Sequence, residues 1–176
     1  STADPSVQAG ILAAQGGVYL QLGELTQAIE TTQQGLDLAA TVGAVPLQSH
    51  LLNQLGQIYD QLGRGEDAIA AYQQAIEISN SRNDIAAVAN ALNSWGQLIA
   101  RNSRRENRSN LAQPLFQTAL NHFQRLGDGQ SASIVLSNLG QLYEADTQPA
   151  LAILFYKQAV TQHEAIRNDL TNLSPT

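Results

Sequence analysis

Three histidines are the side chains of this 176-residue chain best suited to acid–base or metal chemistry, but their spacing supports neither. His50, His122 and His163 lie far apart in the sequence, and no His-Glu-x-x-His segment or cysteine accompanies them. Asp84 and Asp128 fall at predicted helix starts, where capping the first turn is a sufficient role. We therefore expect no enzymatic activity, no catalytic residue, no metal site and no cofactor.

The densest cluster of charge is basic and lies in segment 101–108, Arg-Asn-Ser-Arg-Arg-Glu-Asn-Arg. It holds Arg101, Arg104, Arg105 and Arg108, four of the nine basic residues of a chain whose net charge is −6. Such a patch could steer an acidic segment or a phosphate group towards it. A solvated loop is the simpler interpretation, because surface loops tolerate polar insertions at little cost.

Small and large residues recur in columns that indicate a repeated pair of helices. The glycines Gly16, Gly56, Gly96 and Gly140 are 40, 40 and 44 residues apart, and Leu12, Leu52, Leu92 and Leu136 each precede one by four positions. A second set is Ala28, Ala68, Ala112 and Ala152, followed four positions later by Thr32, Tyr72, Phe116 and Tyr156. Small residues in register let two helices cross closely, and the large ones fill the spaces between them.

These columns resemble the tetratricopeptide repeat (TPR) family over essentially the whole chain. Segment 51–84 carries the family's Leu-Gly-x-x-Tyr motif, followed by alanine and an aromatic residue four positions on. Its period of about 40 exceeds the usual ~34 residues, and is similar to the long-repeat subclass of kinesin light chains and bacterial regulatory or scaffold proteins. The resemblance implies an all-α, right-handed superhelical solenoid of four helix-turn-helix repeats. It forms one domain over 1–176, with approximate repeats 4–43, 44–83, 84–127 and 128–168, and with 169–176 as a tail or the start of a truncated fifth repeat.

The pattern also predicts where the helices begin and end. The expected helices are 5–21, 24–41, 46–62, 65–80, 84–101, 110–126, 129–145 and 149–166. Asp4, Asp84 and Asp128 each precede a column glycine by twelve residues and should cap the first helix of their repeats. Gly23 should supply the left-handed residue between the first two helices.

The chain departs from the repeat pattern at three places, and each departure leads to a separate prediction. Segment 101–110 is four residues longer than its counterpart in repeat 2, so we expect an insertion in the turn within repeat 3, with Pro114 in or near the first turn of the next helix. The first repeat is degenerate, because Thr32 stands where other repeats have an aromatic residue. Trp95, the only tryptophan, should pack between helices rather than bind a ligand.

The resemblance implies a concave groove lined by the first helix of each repeat. Removing the apolar columns leaves polar positions for the groove face: His50, Asn53, Gln57, Asn90, Asn93, Gln97, Ser137, Asn138 and Gln141. A side-chain amide can pair with both the C=O and the N–H of an extended peptide, and kinesin light chains carry a similar Leu-Asn-Asn-Leu segment. The alternative is that these amides solvate a polar face and bond to neighbouring repeats. A clamp for a terminal carboxylate is disfavoured, because these columns hold no lysine or arginine.

Composition narrows the class of partner. Hydrophobic residues make up 43% and charged residues 14%, as in globular proteins. The net charge of −6 argues against binding nucleic acid or an anionic membrane surface.

No apolar run reaches the roughly 18–20 residues that span a bilayer, and the first residues do not resemble a signal peptide. The compartment stays open, and a soluble, cytoplasmic protein is favoured.

We therefore expect a non-catalytic protein–protein interaction module that binds an extended peptide or partner segment in its groove. The alternative is a structural or regulatory spacer, or a self-associating TPR array, within a larger multidomain bacterial protein. The absence of methionine and the start at the Asp4-Pro5 repeat boundary predict a fragment of a longer protein. Exposed solenoid ends would then stack on further repeats or on a second copy.

Overall fold

A computed structural model of the protein describes residues 4–172, with side chains described outside 105–106 and 168–172. Over this range the chain forms eight α-helices and no strand. They are α1 (Pro5–Leu22), α2 (Leu25–Thr41), α3 (Val45–Gln61), α4 (Gly65–Ser81), α5 (Ile85–Asn102), α6 (Arg105–Leu126), α7 (Gly129–Ala145) and α8 (Pro149–Asn172). Consecutive helices pack as pairs, so the prediction of an all-α chain of four helix-turn-helix repeats is confirmed.

The chain divides into two compact units, Ser1–Trp95 and Gly96–Thr176. The first unit holds α1 to α4 and residues 85–95 of α5. The second holds residues 96–102 of α5 together with α6, α7 and α8.

Side-chain and glycine caps fix the predicted helix boundaries. Asp4, Asp84 and Asp128 each accept a hydrogen bond from a backbone N–H two or three residues later, at 2.9, 3.0 and 2.9 Å. This bond satisfies one of the N–H groups that the first helical turn leaves unpaired. Gly23 ends α1 in the left-handed conformation, with φ of 76°. The three aspartate caps and the glycine turn are confirmed.

The glycine columns mark the closest approach between the two helices of each repeat. A Cβ atom added at Gly96 would lie 2.7 Å from the ring of Phe116, and one at Gly140 would lie 2.5 Å from the ring of Tyr156. Gly56 meets the ring of Tyr72 in the same way. In the first repeat the fully buried Thr32 replaces the aromatic ring, since its Oγ1 lies against Gly16. Only glycine fits these positions, and the packing keeps the helix pair in register.

Apolar residues from neighbouring repeats form the core of each unit. In the first unit, Leu55 and Ile58 of α3 pack against Ala28 and Leu36 of α2. In the second unit, the buried residues include Leu98, Phe116, Leu120, Phe123, Val135, Leu139 and Leu142. The second helix of one repeat therefore covers the first helix of the next, as α2 covers α3 and α6 covers α7.

The insertion in repeat 3 is helical, so the prediction of a loop there is wrong. Only residues 103–104 separate α5 from α6, which begins at Arg105 rather than near 110. Asp146 explains the added helical turn: its carboxylate accepts a bond from Ser109 Oγ and pairs with Arg108 Nη1 at 3.5 Å. Because the Asp146 side chain is only 7% exposed, it needs these partners.

The longer α6 also changes the position of Pro114. The expectation that this residue lies in or near the first turn is wrong, because nine residues of α6 precede it. An interior proline removes one backbone hydrogen bond of the helix. Thr118 Oγ1 donates to the Pro114 carbonyl at 2.8 Å, a bond within the same stretch of helix.

The last helix is longer than predicted. α8 continues to Asn172, six residues beyond the expected end near 166. The proposed tail or fifth-repeat start at 169–176 therefore begins within this helix, and residues 173–176 lie outside the described residues.

Candidate functional site

The second unit contains a cavity of about 300 Å³ where polar side chains converge. Three of its lining residues are amides that the sequence analysis assigned to a groove: Gln97, Asn138 and Gln141. Arg101 adds a positive charge at the same place. The remaining lining is apolar and comes from Ala100, Phe116, Leu142 and Ala145. The cavity thus combines an apolar surface with a few hydrogen-bonding groups, which is typical of binding pockets.

Helical periodicity places these side chains. Gln97 and Arg101 are four residues apart on α5, so both project from one face of that helix. Asn138 and Gln141 are three residues apart on α7 and likewise share a face. The ring of Phe116, held against Gly96 and almost fully buried, contributes the apolar wall from α6.

The electrostatics of the cavity favour a ligand that accepts hydrogen bonds. Arg101 lies in the last turn of α5, where a cation complements the helix dipole. The Arg101 residue is exposed and already has an interaction within the chain, and its guanidinium is a fork of donors whose geometry matches a carbonyl or a carboxylate group. Asp146, the nearby acid at the end of α7, is engaged by Arg108 and Ser109.

In the first unit, one of the predicted groove amides, Gln57, bonds to a neighbouring repeat. Gln57 Nε2 donates to Ser94 Oγ at 3.2 Å, which links α3 to α5. The neighbouring Gln54, which is buried, donates from Nε2 to the Ala13 carbonyl at 3.2 Å and links α3 to α1. These bonds match the structural alternative for the amides, in which they tie neighbouring repeats together.

The remaining predicted groove residues differ in exposure. His50 and Asn90 are exposed in the first unit, and Asn53 and Asn93 are half-buried. Asn53 Oδ1 is buried without a hydrogen-bond partner in the described part of the chain, so it keeps an unused acceptor. In the second unit, Ser137 Oγ donates to the Ser133 carbonyl of its own helix at 3.0 Å and does not line the cavity.

The four basic residues predicted to form a loop do not form one. Arg101 lies in α5, Arg104 immediately precedes α6, and Arg105 and Arg108 lie in its first turn. Arg108 is turned towards Asp146, whereas Arg101 lines the cavity. The side chain of Arg105 lies outside the described residues. The link between Arg101 and the amides was not predicted, although the four-residue spacing of Arg101 from Gln97 in the sequence indicates a shared helix face.

Trp95 does not line the cavity described above. Its side chain is half-buried, and its Nε1 is buried without a hydrogen-bond partner among the described residues. The prediction that it packs between helices rather than binds a ligand stays a prediction.

Two further features of the described residues concern membranes and metal ions. No helix within residues 4–172 is long and apolar enough to cross a membrane. Among the side chains that the structure describes, no group of three or more His, Cys, Asp or Glu residues is placed to hold a metal ion.

Paired helices joined by short turns, with small residues at each crossing, define a helical-repeat protein. The family model for the tetratricopeptide repeat matches residues 8–81 and 87–165. The chain belongs to the tetratricopeptide repeat family, and repeats of this family generally mediate protein–protein interactions on a non-catalytic scaffold.

A solved structure with a similar fold is the crystal structure of BtubC (BKLC) from P. vanneervenii. The sequence identity is 25%, the TM-score is 0.72, and the match covers 98% of this chain and 68% of that one. No curated protein matches this chain.

Proposed function

We propose that this chain is a non-catalytic interaction module that binds an extended segment of a partner protein. The observation that carries the proposal is the cavity in the second unit, where Gln97, Asn138 and Gln141 converge with Arg101. Family membership supports the same class of function, because repeats of this kind generally mediate protein–protein interactions.

The amides bind the main chain of the segment. An extended peptide presents C=O and N–H groups along its length, and Asn or Gln can pair with both. Such bonds are indifferent to the peptide's side chains, so they provide affinity more than specificity. Specificity comes from the apolar wall around Phe116 and Leu142, which accepts one apolar side chain, and from Arg101, which selects an acceptor group.

An acidic side chain is the acceptor that Arg101 favours most, because a charge-assisted bond is stronger than a neutral one. A terminal carboxylate clamp remains disfavoured, since such a clamp needs several cations and the cavity lining has one. The interaction between Arg101 and an acidic side chain should weaken as salt is raised, because both groups are near solvent.

In the first unit, His50, Asn53, Asn90 and Asn93 are proposed as further contacts to a partner segment. Gln57 and Asn93 both have partners within the chain already, and Gln57 is left out because its amide bonds to Ser94. A spacer role is the second candidate, and the two bonds of Gln54 and Gln57 between repeats favour it. Under that hypothesis, the amides stabilise repeat packing and bind no ligand.

Selection from a random peptide library displayed on phage separates the two functions. The chain is immobilised, and the recovered pool is then tested on a pocket variant, Gln97→Ala with Asn138→Ala, and on a control variant, Gln117→Ala. Gln117 is an exposed amide on α6 that does not line the cavity. We expect enriched peptides that bind the parent and the control alike and lose binding to the pocket variant. No enrichment, or equal binding to the pocket variant, would move the assignment to the spacer.

A further inference from the structure

One face of α1 is apolar and exposed, although the same face of every later first helix is buried. Ile11 and Val18 are 50% and 54% exposed. Their repeat counterparts in α3 are Leu51 and Ile58, which are fully buried. The counterparts in α5 and α7 are Ala91, Leu98, Val135 and Leu142, each no more than 2% exposed. α1 therefore presents the surface that a second helix covers elsewhere in the chain.

α8 presents the opposite half of such an interface. Its residues Ile153 and Val160 are 54% and 55% exposed. Their repeat counterparts in α2 are Ile29 and Leu36, which pack against the buried cluster containing Leu55 and Ile58 of α3. The face of α8 thus has the residue types, at the same spacing, that α2 uses to cover α3.

Both faces carry hollows that side chains of the opposite face can enter. The α1 face carries a hollow of about 350 Å³ lined by Ile11, Ala14, Gln15, Val18 and Tyr19. The α8 face carries one of about 440 Å³ lined by Ile153, Tyr156, Lys157, Val160 and Thr161. α1 has no charged residue between Pro5 and Leu22, and the hollow on α8 has one, Lys157, whose stem can lie on apolar surface while its ammonium stays in water. Because the α1 face is uncharged, the charged residues of α8 meet no like charge on it.

We propose that the α8 face of a second copy of this chain covers the α1 face, in the way that α2 covers α3 within one molecule. The contact is head-to-tail, because it joins two different surfaces rather than one surface with itself. It uses none of the residues that line the cavity of the proposed function, so either proposal can fail without the other.

Two single substitutions test this proposal by sedimentation velocity and native mass spectrometry. Val18→Asp places a charge on the α1 face, and Val160→Asp places one on the α8 face. Both sites are more than half exposed, so the fold should survive, and circular dichroism checks this. Ile134→Asp is the control, because Ile134 is 48% exposed on α7 and belongs to neither face.

A head-to-tail contact gives a distinctive result. The parent and the control associate as concentration rises, and each face variant alone stays monomeric. An equimolar mixture of Val18→Asp and Val160→Asp forms a heterodimer and nothing larger, because only one intact α1 face and one intact α8 face remain to pair. A parent that is monomeric into the millimolar range would overturn the proposal. So would self-association of Val160→Asp, which would indicate an α1-to-α1 contact.

Discussion

Each repeat has a glycine where its two helices cross, and this glycine allows their close packing. At Gly96 the absence of a side chain lets the ring of Phe116 lie directly against the backbone of α5. Phe116 is 1% exposed, so the surrounding core leaves its ring no space to move aside. A methyl group at position 96 must therefore displace a buried aromatic side chain.

Gly96→Ala is expected to lower the free energy of unfolding by about 1–3 kcal/mol through overpacking. Gly10→Ala is the matched control, because Gly10 also lies inside a helix but has nothing within 4 Å of an added Cβ. The control should raise the free energy of unfolding by about 0.5–1 kcal/mol, because alanine favours the helix. Urea denaturation followed by circular dichroism measures both, and equal effects would contradict the crossing argument.

Tyr156 should make the free energy of unfolding fall as pH rises above 10. Burial, a hydrogen bond of 2.7 Å from its hydroxyl to Glu144, and the charge of Glu144 together raise the pKa of Tyr156 to about 12 from 10.0. Between these pH values the folded state holds a proton that the unfolded state has lost. This contribution to stability is therefore complete below pH 10 and disappears as pH rises through 12.

Tyr156→Phe should keep the ring against Gly140 but remove this titration. We expect the denaturation midpoint of the parent to fall more steeply from pH 10 to 12 than that of the variant. Urea denaturation at closely spaced pH values gives the slope of the midpoint against pH for both proteins. Equal slopes would exclude the Tyr156–Glu144 bond as the cause of the pH dependence.

Breaking the ion pair of Arg108 and Asp146 is expected to cost more stability than breaking the surface pair of Arg64 and Asp67. The side chains of the first pair are 19% and 7% exposed, whereas those of the second are 52% and 49% exposed. Asp146→Asn should cost about 1–3 kcal/mol, because it leaves a largely buried guanidinium without its counter-charge. Asp67→Asn should change stability by no more than about 1 kcal/mol. Thermal or urea unfolding of both variants makes the comparison, and similar losses would refute it.

At the scale of the element, α6 shows what the sequence pattern could and could not reveal. The columns predicted the register of α6 from Ala112 onwards, because those residues contact other helices. They carried no information about residues 105–109, where Arg108 and Ser109 bond to Asp146, far away in the sequence. Polar residues rich in arginine suit both a loop and a solvated helical turn, so composition did not separate the two.

Pro114→Ala tests whether α6 is continuous through the insertion. If nine helical residues precede Pro114, alanine restores an interior backbone hydrogen bond and should stabilise the protein by about 1–3 kcal/mol. If the helix instead began within the three residues before Pro114, proline would lie in the first turn, and the substitution would be neutral or destabilising. Urea denaturation of the variant and the parent decides between these outcomes.

The starts of three helices were easier to predict from the sequence than the structure of the insertion was. Asp4, Asp84 and Asp128 were identifiable as caps because an aspartate at a helix start acts on its own first turn. The end of α8 at Asn172 had no comparable mark, since no glycine or proline precedes it near residue 166.

At the scale of the whole molecule, periodicity predicted the family, but it predicted only part of the candidate site. Repetition of the columns across the chain identified the tetratricopeptide repeats, because every repeat must bury the same faces. It also named Gln97, Asn138 and Gln141, three of the polar residues around the cavity. It did not separate them from Gln57, whose bond to Ser94 depends on side-chain distances that no column encodes.

The proposed function requires that side-chain amides of the cavity bind a partner segment. The most direct measurement is a titration of the ¹⁵N-labelled chain with a library-selected peptide, followed through the side-chain NH₂ signals in nuclear magnetic resonance spectra. The signals of Gln97, Asn138 and Gln141 should shift to saturation together, whereas those of Gln117 and Asn121, which pair with each other outside the cavity, should not. Saturable binding that leaves the three cavity amides unmoved would contradict the account.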